Sequence, residues 1–219
     1  SKLRIETMVL GMVSTNTYIL YKEGENQAVI VDPAAAPERI LEKCRQLSLT
    51  PAAILLTHGH FDHIGAAEEI CRKYPAEVIA GEKEDGLMRD PIRNLSSQFG
   101  SSFTAKATRL VKDGDVISLL GMEIQVMETP GHTPGSVCYY IPDEEVLLSG
   151  DTLFCESYGR TDFPGGSGSQ MIQSIGRLLT LPEETMVYPG HEGPTAIGHE
   201  KQYNPITAYP VSYTHLRAH

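Results

Sequence analysis

Positive charge is scarce in this sequence: 18 lysines and arginines face 28 aspartates and glutamates, for a net charge of −10. A surface that grips nucleic acid is ordinarily basic, so no nucleic-acid partner is expected. Apolar runs are short as well. None approaches the roughly 18 residues of a membrane span, and the opening SKLRIETMVL lacks the long apolar core of a secretory signal. No membrane partner is expected either. Cysteine is limited to Cys44, Cys71, Cys138 and Cys155, widely spread and without a C-x-x-C pair. That pattern fits unpaired thiols in the reducing cytoplasm better than a disulfide framework. Long-period repeats and low-complexity tracts are missing too. With 219 residues, 41% of them hydrophobic, the chain suits one domain with a substantial core, expected over 1–209.

What the sequence does contain is concentrated in Ile54-Leu55-Leu56-Thr57-His58-Gly59-His60-Phe61-Asp62-His63-Ile64-Gly65. An apolar run fit for a buried strand stops at Thr57, and His58, His60, Asp62 and His63 follow at once. In an extended segment His58 and His60 point the same way. Asp62 and His63 fall at a helix start, where the helix dipole favours a carboxylate, and the helix is expected to run on to Tyr74. A single histidine is ordinarily a hydrogen-bonded structural residue. Three of them with an aspartate at this spacing point to a metal site.

Elsewhere, strand-like residues from Met8 to Tyr21 turn near Ser14-Thr15-Asn16, and Gly24-Glu25-Asn26 makes a hairpin turn into the buried strand Ala28–Val31, which ends at Asp32-Pro33. Pro37 opens a helix to about Leu47. A strand is expected around Val78–Ala80. Gly81 to Thr108 is polar and broken by glycine and proline, with at most a short helix near Glu82–Met88. Strands are expected at Val116–Leu119, Met122–Met127, Val137–Ile141, Glu145–Leu148 and Thr185–Tyr188, with a helix at Met171–Leu181. The end, Pro210–His219, fits neither strand nor helix and resembles translated sequencing-adapter read-through. It is set outside the fold, and His215 and His219 are set aside as ligands.

One device recurs: an apolar strand ends at a glycine-flanked polar residue, in LLTHGH, VMETPGH, LLSGD and VYPGH. Glycine there permits a sharp turn that aims a side chain off the strand end. His132, Asp151 and His191 therefore join the first cluster on one edge of a sheet sandwich. His199, in a helical turn without that setting, is left out.

T-H-G-H-F-D-H, T-P-G-H-T-P-G, S-G-D-T-L-F and Y-P-G-H together resemble the metallo-β-lactamase superfamily, and Asp32 matches its first motif. G-R-T-D-F-P-G-G and the segment from Pro189 to Pro205 resemble its short relatives of glyoxalase II. The resemblance implies an α/β fold, a four-layer αβ/βα sandwich of two mixed sheets flanked by helices. It implies two divalent metal ions, zinc in first place with iron or manganese as alternatives. His58, His60 and His132 would hold one, Asp62, His63 and His191 the other, and Asp151 would bridge them. Asp62 and Asp151 would be catalytic as well as ligating, while Asp32 and Thr57 would orient ligand imidazoles. Water activated by the metals would attack an acyl carbon without a serine or cysteine nucleophile.

The implied reaction is hydrolysis of a small thioester such as S-lactoylglutathione. The helical domain that grips glutathione in glyoxalase II has no room here, and Gly193 stands at the family's usual tyrosine. Arg160 is the cation at the position of the family's loop lysine and the candidate for substrate binding. Alternatives are another small ester or thioester, or a mononuclear-iron persulfide dioxygenase using His58, His132 and Asp151. A β-lactamase is disfavoured by His63, a processing nuclease by the acidic charge, and a non-catalytic scaffold by the complete ligand set. The sequence leaves the oligomeric state open.

Overall fold

The computed structural model describes residues 1–209; the segment 210–219, set outside the fold by the sequence, lies outside the described residues. Strands β1 (Leu3–Leu10), β2 (Thr15–Lys22) and β3 (Gln27–Val31) form an antiparallel meander. Helix α1 (Pro37–Gln46) leads to β4 (Thr50–Leu55). The short helices α2 (Phe61–Ile64) and α3 (Ala67–Lys73) then lead to β5 (Glu77–Gly81), and α4 (Asp85–Met88) with a long loop leads to β6 (Arg109–Val111). These six strands pair in chain order into a mixed sheet, parallel from β3 to β6.

The second sheet uses β7 (Val116–Leu119), β8 (Met122–Glu128), β9 (Val137–Ile141) and β10 (Val146–Gly150). A small hairpin of β11 (Leu153–Phe154) and β12 (Ser157–Tyr158) follows, then α5 (Gly168–Leu178), β13 (Met186–Pro189), β14 (Thr195–Ala196) and α6 (Ile197–Tyr203). The sheet order is β14-β13-β10-β9-β8-β7, with only β10 and β13 parallel.

Three apolar layers hold this together. Ile30, Ile54, Leu41 and Ile70 pack the first sheet against α1 and α3. Leu20, Val31, Leu55, Ile79, Tyr139 and Leu148 fill the space between the sheets. Leu147, Met171, Ile175 and Val187 pack the second sheet under α5 and α6. The strands between two such layers read as continuous apolar runs because both faces are buried. The result is the expected four-layer αβ/βα sandwich. Buried Tyr139 donates its hydroxyl to the Leu56 carbonyl (2.7 Å), which ties the second sheet to the chain just before the histidine motif.

Some elements differ from expectation. The helix expected from His63 to Tyr74 is split, because Gly65 packs on the Ala34 carbonyl and the Ala66 N–H bonds to Pro33 instead of continuing the helix. Helix α5 starts at Gly168 rather than Met171, capped by Ser167, whose hydroxyl accepts from the Gln170 N–H. Strands β6, β14 and the β11–β12 hairpin lack any sequence expectation. They are two or three residues long, too short for periodicity to register.

Candidate metal centre

All seven side chains singled out as ligands meet at one edge of the sandwich. His58 and His60 follow β4, with Asp62 and His63 on the first turn of α2. His132 follows β8, Asp151 follows β10, and His191 follows β13. They fall into two groups, His58 with His60 and His132, and Asp62 with His63, Asp151 and His191. Within each group the donor atoms lie within 4.8 Å of one another.

Backbone contacts fix this convergence. Gly150 has a φ of +53°, and a side chain there would collide with Thr57. Glycine alone takes that turn without strain. At Gly190 a Cβ would meet Asp151 Oδ1 and His63 Cε1, so two of the seven convergent side chains close over a bare backbone. Asp32 also sits at positive φ, +51°. Its carboxylate accepts from the Thr57 N–H (2.9 Å), the Thr57 hydroxyl (2.7 Å) and His63 Nδ1 (2.8 Å). Aspartate tolerates this left-handed region better than most residues.

These bonds also set the imidazole protons. Since Thr57 gives its proton to Asp32, its oxygen is free to accept from His58 Nδ1 (3.2 Å). His132 Nδ1 donates to the Arg160 carbonyl (2.7 Å). The outer nitrogens of His58, His63 and His132 are thus engaged, which turns their Nε2 atoms towards the cluster. The Nε2 atoms of His58, His60 and His63 and Oδ1 of Asp151 are buried without a hydrogen-bond partner. Buried polar atoms are rarely left so; the Nε2 atoms of His58 and His63 lie 3.8 and 3.2 Å from the Asp151 carboxylate, while His60 turns its Nδ1 to the cluster.

The separations explain why. His132 Nε2 stands 3.1 Å from His60 Nδ1 and 3.4 Å from Asp151 Oδ2. His63 Nε2 is 3.2 Å from Asp151 and 3.3 Å from Asp62, while His191 Nε2 is 3.3 Å from each of these carboxylates. Charge-assisted hydrogen bonds are shorter, about 2.7–2.9 Å. Two ligands about 2.0–2.1 Å from a tetrahedral metal lie roughly 3.3 Å apart. The spacing is that of a ligand shell, and imidazole and carboxylate donors without thiolate suit zinc, iron or manganese. The clusters fit a dinuclear site, with Asp151 reaching both groups.

Charge is balanced within the cluster. Burial and the neighbouring imidazoles hold His58 neutral and push His60 down to about 3. Burial works against charge on His63 and His191 too, but Asp151 and Asp62 outweigh it, raising His63 well above its usual range and His191 to about 10. Burial alone would raise both carboxylates; His63 and His191 hold Asp62 and Asp151 well below the carboxylate range. A divalent cation would replace the protons on His63 and His191.

Sequence reasoning overlooked several supporting groups. Buried Glu84 accepts from the Gly59 N–H (2.8 Å), the Thr133 hydroxyl (2.7 Å) and the Gly135 N–H (3.0 Å), joining the first and second histidine motifs. Thr15 donates to Asp62 (2.9 Å). The Asn16 amide donates to the carbonyls of Pro189 and Glu192, on either side of His191. Nothing local marks these residues, since every partner lies more than forty positions away in the chain except Gly59, 25 positions from Glu84. His199, left out of the ligand set, pairs with Glu156 (2.9 Å) beyond both groups.

Above the cluster opens a cavity of about 400 Å³, walled by Val13, Phe61, Phe99, Phe154, Tyr158 and Phe163 among others. Arg160 lines it too, but its Nε and Nη2 each donate to Asp162 at 2.7 Å, and its guanidinium lies 4.2 Å from the centre of the Phe163 ring.

The metallo-beta-lactamase superfamily model matches residues 10–191. YqgX of Bacillus subtilis, a probable metallo-hydrolase, is 38% identical over 202 residues, 91% of this chain and 95% of its own. Hydroxyacylglutathione hydrolase GloC of Haemophilus influenzae is 31% identical over 209 residues, 93% of this chain and 98% of its own. Among solved structures, BLEG-1 B3 metallo-beta-lactamase superposes with a TM-score of 0.88 at 40% identity, covering 92% of this chain and 98% of that one. TTHA1623 in a di-iron-bound form gives 0.80 at 34% identity, over 91% and 98%. ETHE1 from Myxococcus xanthus gives 0.79 at 32%, over 97% and 89%. Fold, cluster and sequence agree, and the chain belongs to the metallo-β-lactamase superfamily.

Proposed function

We propose that this metallo-hydrolase fold serves a thioesterase, with His58, His60 and His132 holding one divalent cation, Asp62, His63 and His191 a second, and Asp151 between them. The observation that carries the reading is the set of buried, unpartnered His58 and His63 Nε2 and Asp151 Oδ1 atoms under an open cavity. When bound, such cations polarise a carbonyl and lower the pKa of water from 15.7 to roughly 7. Asp32 and Thr57 keep the imidazoles turned inward through the hydrogen bonds on their outer nitrogens. Asp62 would serve both as a ligand and, held by the Thr15 hydroxyl, as a fixed negative charge at the cluster. The aromatic walls keep bulk water from the acyl group.

The leaving group follows from the same inventory. Every imidazole lining the cavity, His60, His132 and His191, belongs to the cluster. None is spare to protonate a poor leaving group. A thiolate leaves without that help, which favours a thioester over an amide, and the 31% identity to GloC supports the same class.

Two further readings become outcomes of one test. The BLEG-1 match motivates a β-lactam, and the ETHE1 match motivates the mononuclear-iron persulfide dioxygenase. Purified protein is assayed on S-lactoylglutathione and on thioesters of N-acetylcysteamine, beside a chromogenic cephalosporin and oxygen uptake with glutathione persulfide. The proposal expects thioester turnover that His58→Ala abolishes while the fold persists. Turnover unchanged in His58→Ala, or activity confined to the β-lactam or the persulfide, overturns it.

A further inference from the structure

The cavity's walls say more about the substrate than the metal cluster does. Phe163 stands edge-on to His60 and His132, with ring centres 5.5 and 6.2 Å away. Phe154 stands edge-on to His191 at 6.0 Å. Phe61 and Phe99 stack at 4.4 Å on another side, and Val13 and Phe99 keep an exposed apolar rim, each at 40% exposure. Apolar faces thus flank both halves of the cluster.

Charge is arranged the other way. Among the described residues lining the cavity, Arg160 is the one lysine or arginine, and Glu192 adds a negative charge. Asp162 takes the guanidinium in a bidentate pair, and Phe163 covers its face. A bidentate pair uses the donor geometry that would otherwise grip a substrate carboxylate. The chain's net charge of −10 adds a repulsive field for anionic ligands.

We propose that the aromatic cavity and the pairing of Arg160 with Asp162 select thioesters with an apolar acyl group, aryl or branched alkyl, on an uncharged thiol carrier, in preference to glutathione conjugates. This rests on the thioesterase reading and narrows it. In the step, a water oxygen bonds to the acyl carbon and the C–S bond breaks with its electron pair on sulfur. A carboxylate, a thiol and one proton released to solvent are the products. The apolar acyl group fills the aromatic pocket, where each buried methylene is worth roughly a fourfold gain in binding. The carrier points past Arg160 and Glu192 towards solvent, where the one cation among the described residues lining the cavity is already paired with Asp162.

The test compares kcat/KM for acetyl, butyryl and phenylacetyl thioesters of N-acetylcysteamine, and for phenylacetyl glutathione. Phenylacetyl should exceed acetyl by about tenfold or more, on the scale that one or two extra buried groups give an apolar pocket. The neutral carrier should be preferred severalfold over glutathione at low salt, less so at high salt. Asp162→Asn, which releases Arg160, should move that ratio at least about threefold towards glutathione. Calorimetry with thioether analogues, their carbonyl replaced by methylene, should show the same order of affinities. A wild-type preference for glutathione, or a ratio that Asp162→Asn does not move, overturns the inference while leaving a thioesterase. Tight binding of the neutral phenyl analogue without turnover of any thioester upholds the pocket's selectivity and removes the thioesterase reading instead.

Discussion

Glu200 offers a sharp test of how the cavity is held in shape. It lies on α6, fully buried, and its two oxygens take three donors. Oε1 accepts from the Glu156 N–H and the Asn204 amide, each at 2.9 Å, and Oε2 accepts from the Thr195 hydroxyl at 2.6 Å. Asn204 in turn donates to the Ser157 carbonyl at 3.0 Å. The network pins the turn of the β11–β12 hairpin, which carries Phe154, Ser157 and Tyr158 into the cavity wall. Glu200→Ala strands the Thr195 hydroxyl and one Asn204 donor, whereas the Glu156 N–H can turn to water. At about 1.5–3 kcal/mol for each bond to a charged acceptor, with the third recovered by water, the loss is about 3–6 kcal/mol. For a chain of this size that lowers Tm by roughly 6–24 °C. Glu200→Gln behaves differently. Its carboxamide oxygen still serves Glu156 and Asn204, and the Thr195 hydroxyl can rotate to accept from the new N–H, so only charge assistance is lost, about 1–2 kcal/mol. Urea unfolding of both variants measures these values, and steady-state kinetics of the glutamine variant should show KM rising more than kcat falls. An alanine variant within about 1 kcal/mol of wild type, or a glutamine variant as damaged as alanine, would refute the reasoning.

Other expectations follow from the cluster. His63 is raised well above its usual range and His191 to about 10, so both carry protons near neutrality until a cation displaces them. Metal affinity should therefore rise with pH, and loading the stripped protein near pH 7.5 should release about two protons. An indicator dye in weak buffer measures this, and affinity that stays flat from pH 6 to 9 would contradict it. Asp32→Asn places an amide N–H against His63 Nδ1, and metal affinity in a chelator competition should fall about 10–100-fold. An affinity equal to wild type would show that Asp32 does not orient His63. Gly190→Ala drives a methyl between Asp151 and His63. Overpacking of about 1–3 kcal/mol there should cost about tenfold or more in metal affinity, with circular dichroism nearly unchanged. Full metal retention by this variant would mean the ligands do not close as tightly as drawn.

Much of the fold was legible because its strands end where the ligands begin. The runs before Thr57 and Gly150 are apolar on both faces, the strand ending at Glu128 alternates apolar and polar residues, and the glycine or proline near each strand end marks a turn that needs no tertiary information. The helix after His63 was legible only in outline, since its break at Gly65–Ala66 comes from the Ala34 and Pro33 carbonyls of another segment. Glu84 and Glu200 were invisible for a related reason. A glutamate in a polar stretch reads as solvent-facing, and only the folded chain brings the donors that let each be buried. Arg160 shows the limit most plainly. Its position suggests a substrate cation, and only the folded chain shows the exposed pair that it makes with Asp162, two residues on.

The central claim is that the seven convergent side chains hold two divalent cations. Elemental analysis of the purified protein, normalised to chain concentration, tests it most directly. The account predicts about two equivalents of zinc, iron or manganese per chain, falling towards one in His60→Ala and in His191→Ala while the fold persists. A folded protein that takes up less than one equivalent when offered each of these metals, or a content that neither substitution changes, would contradict it.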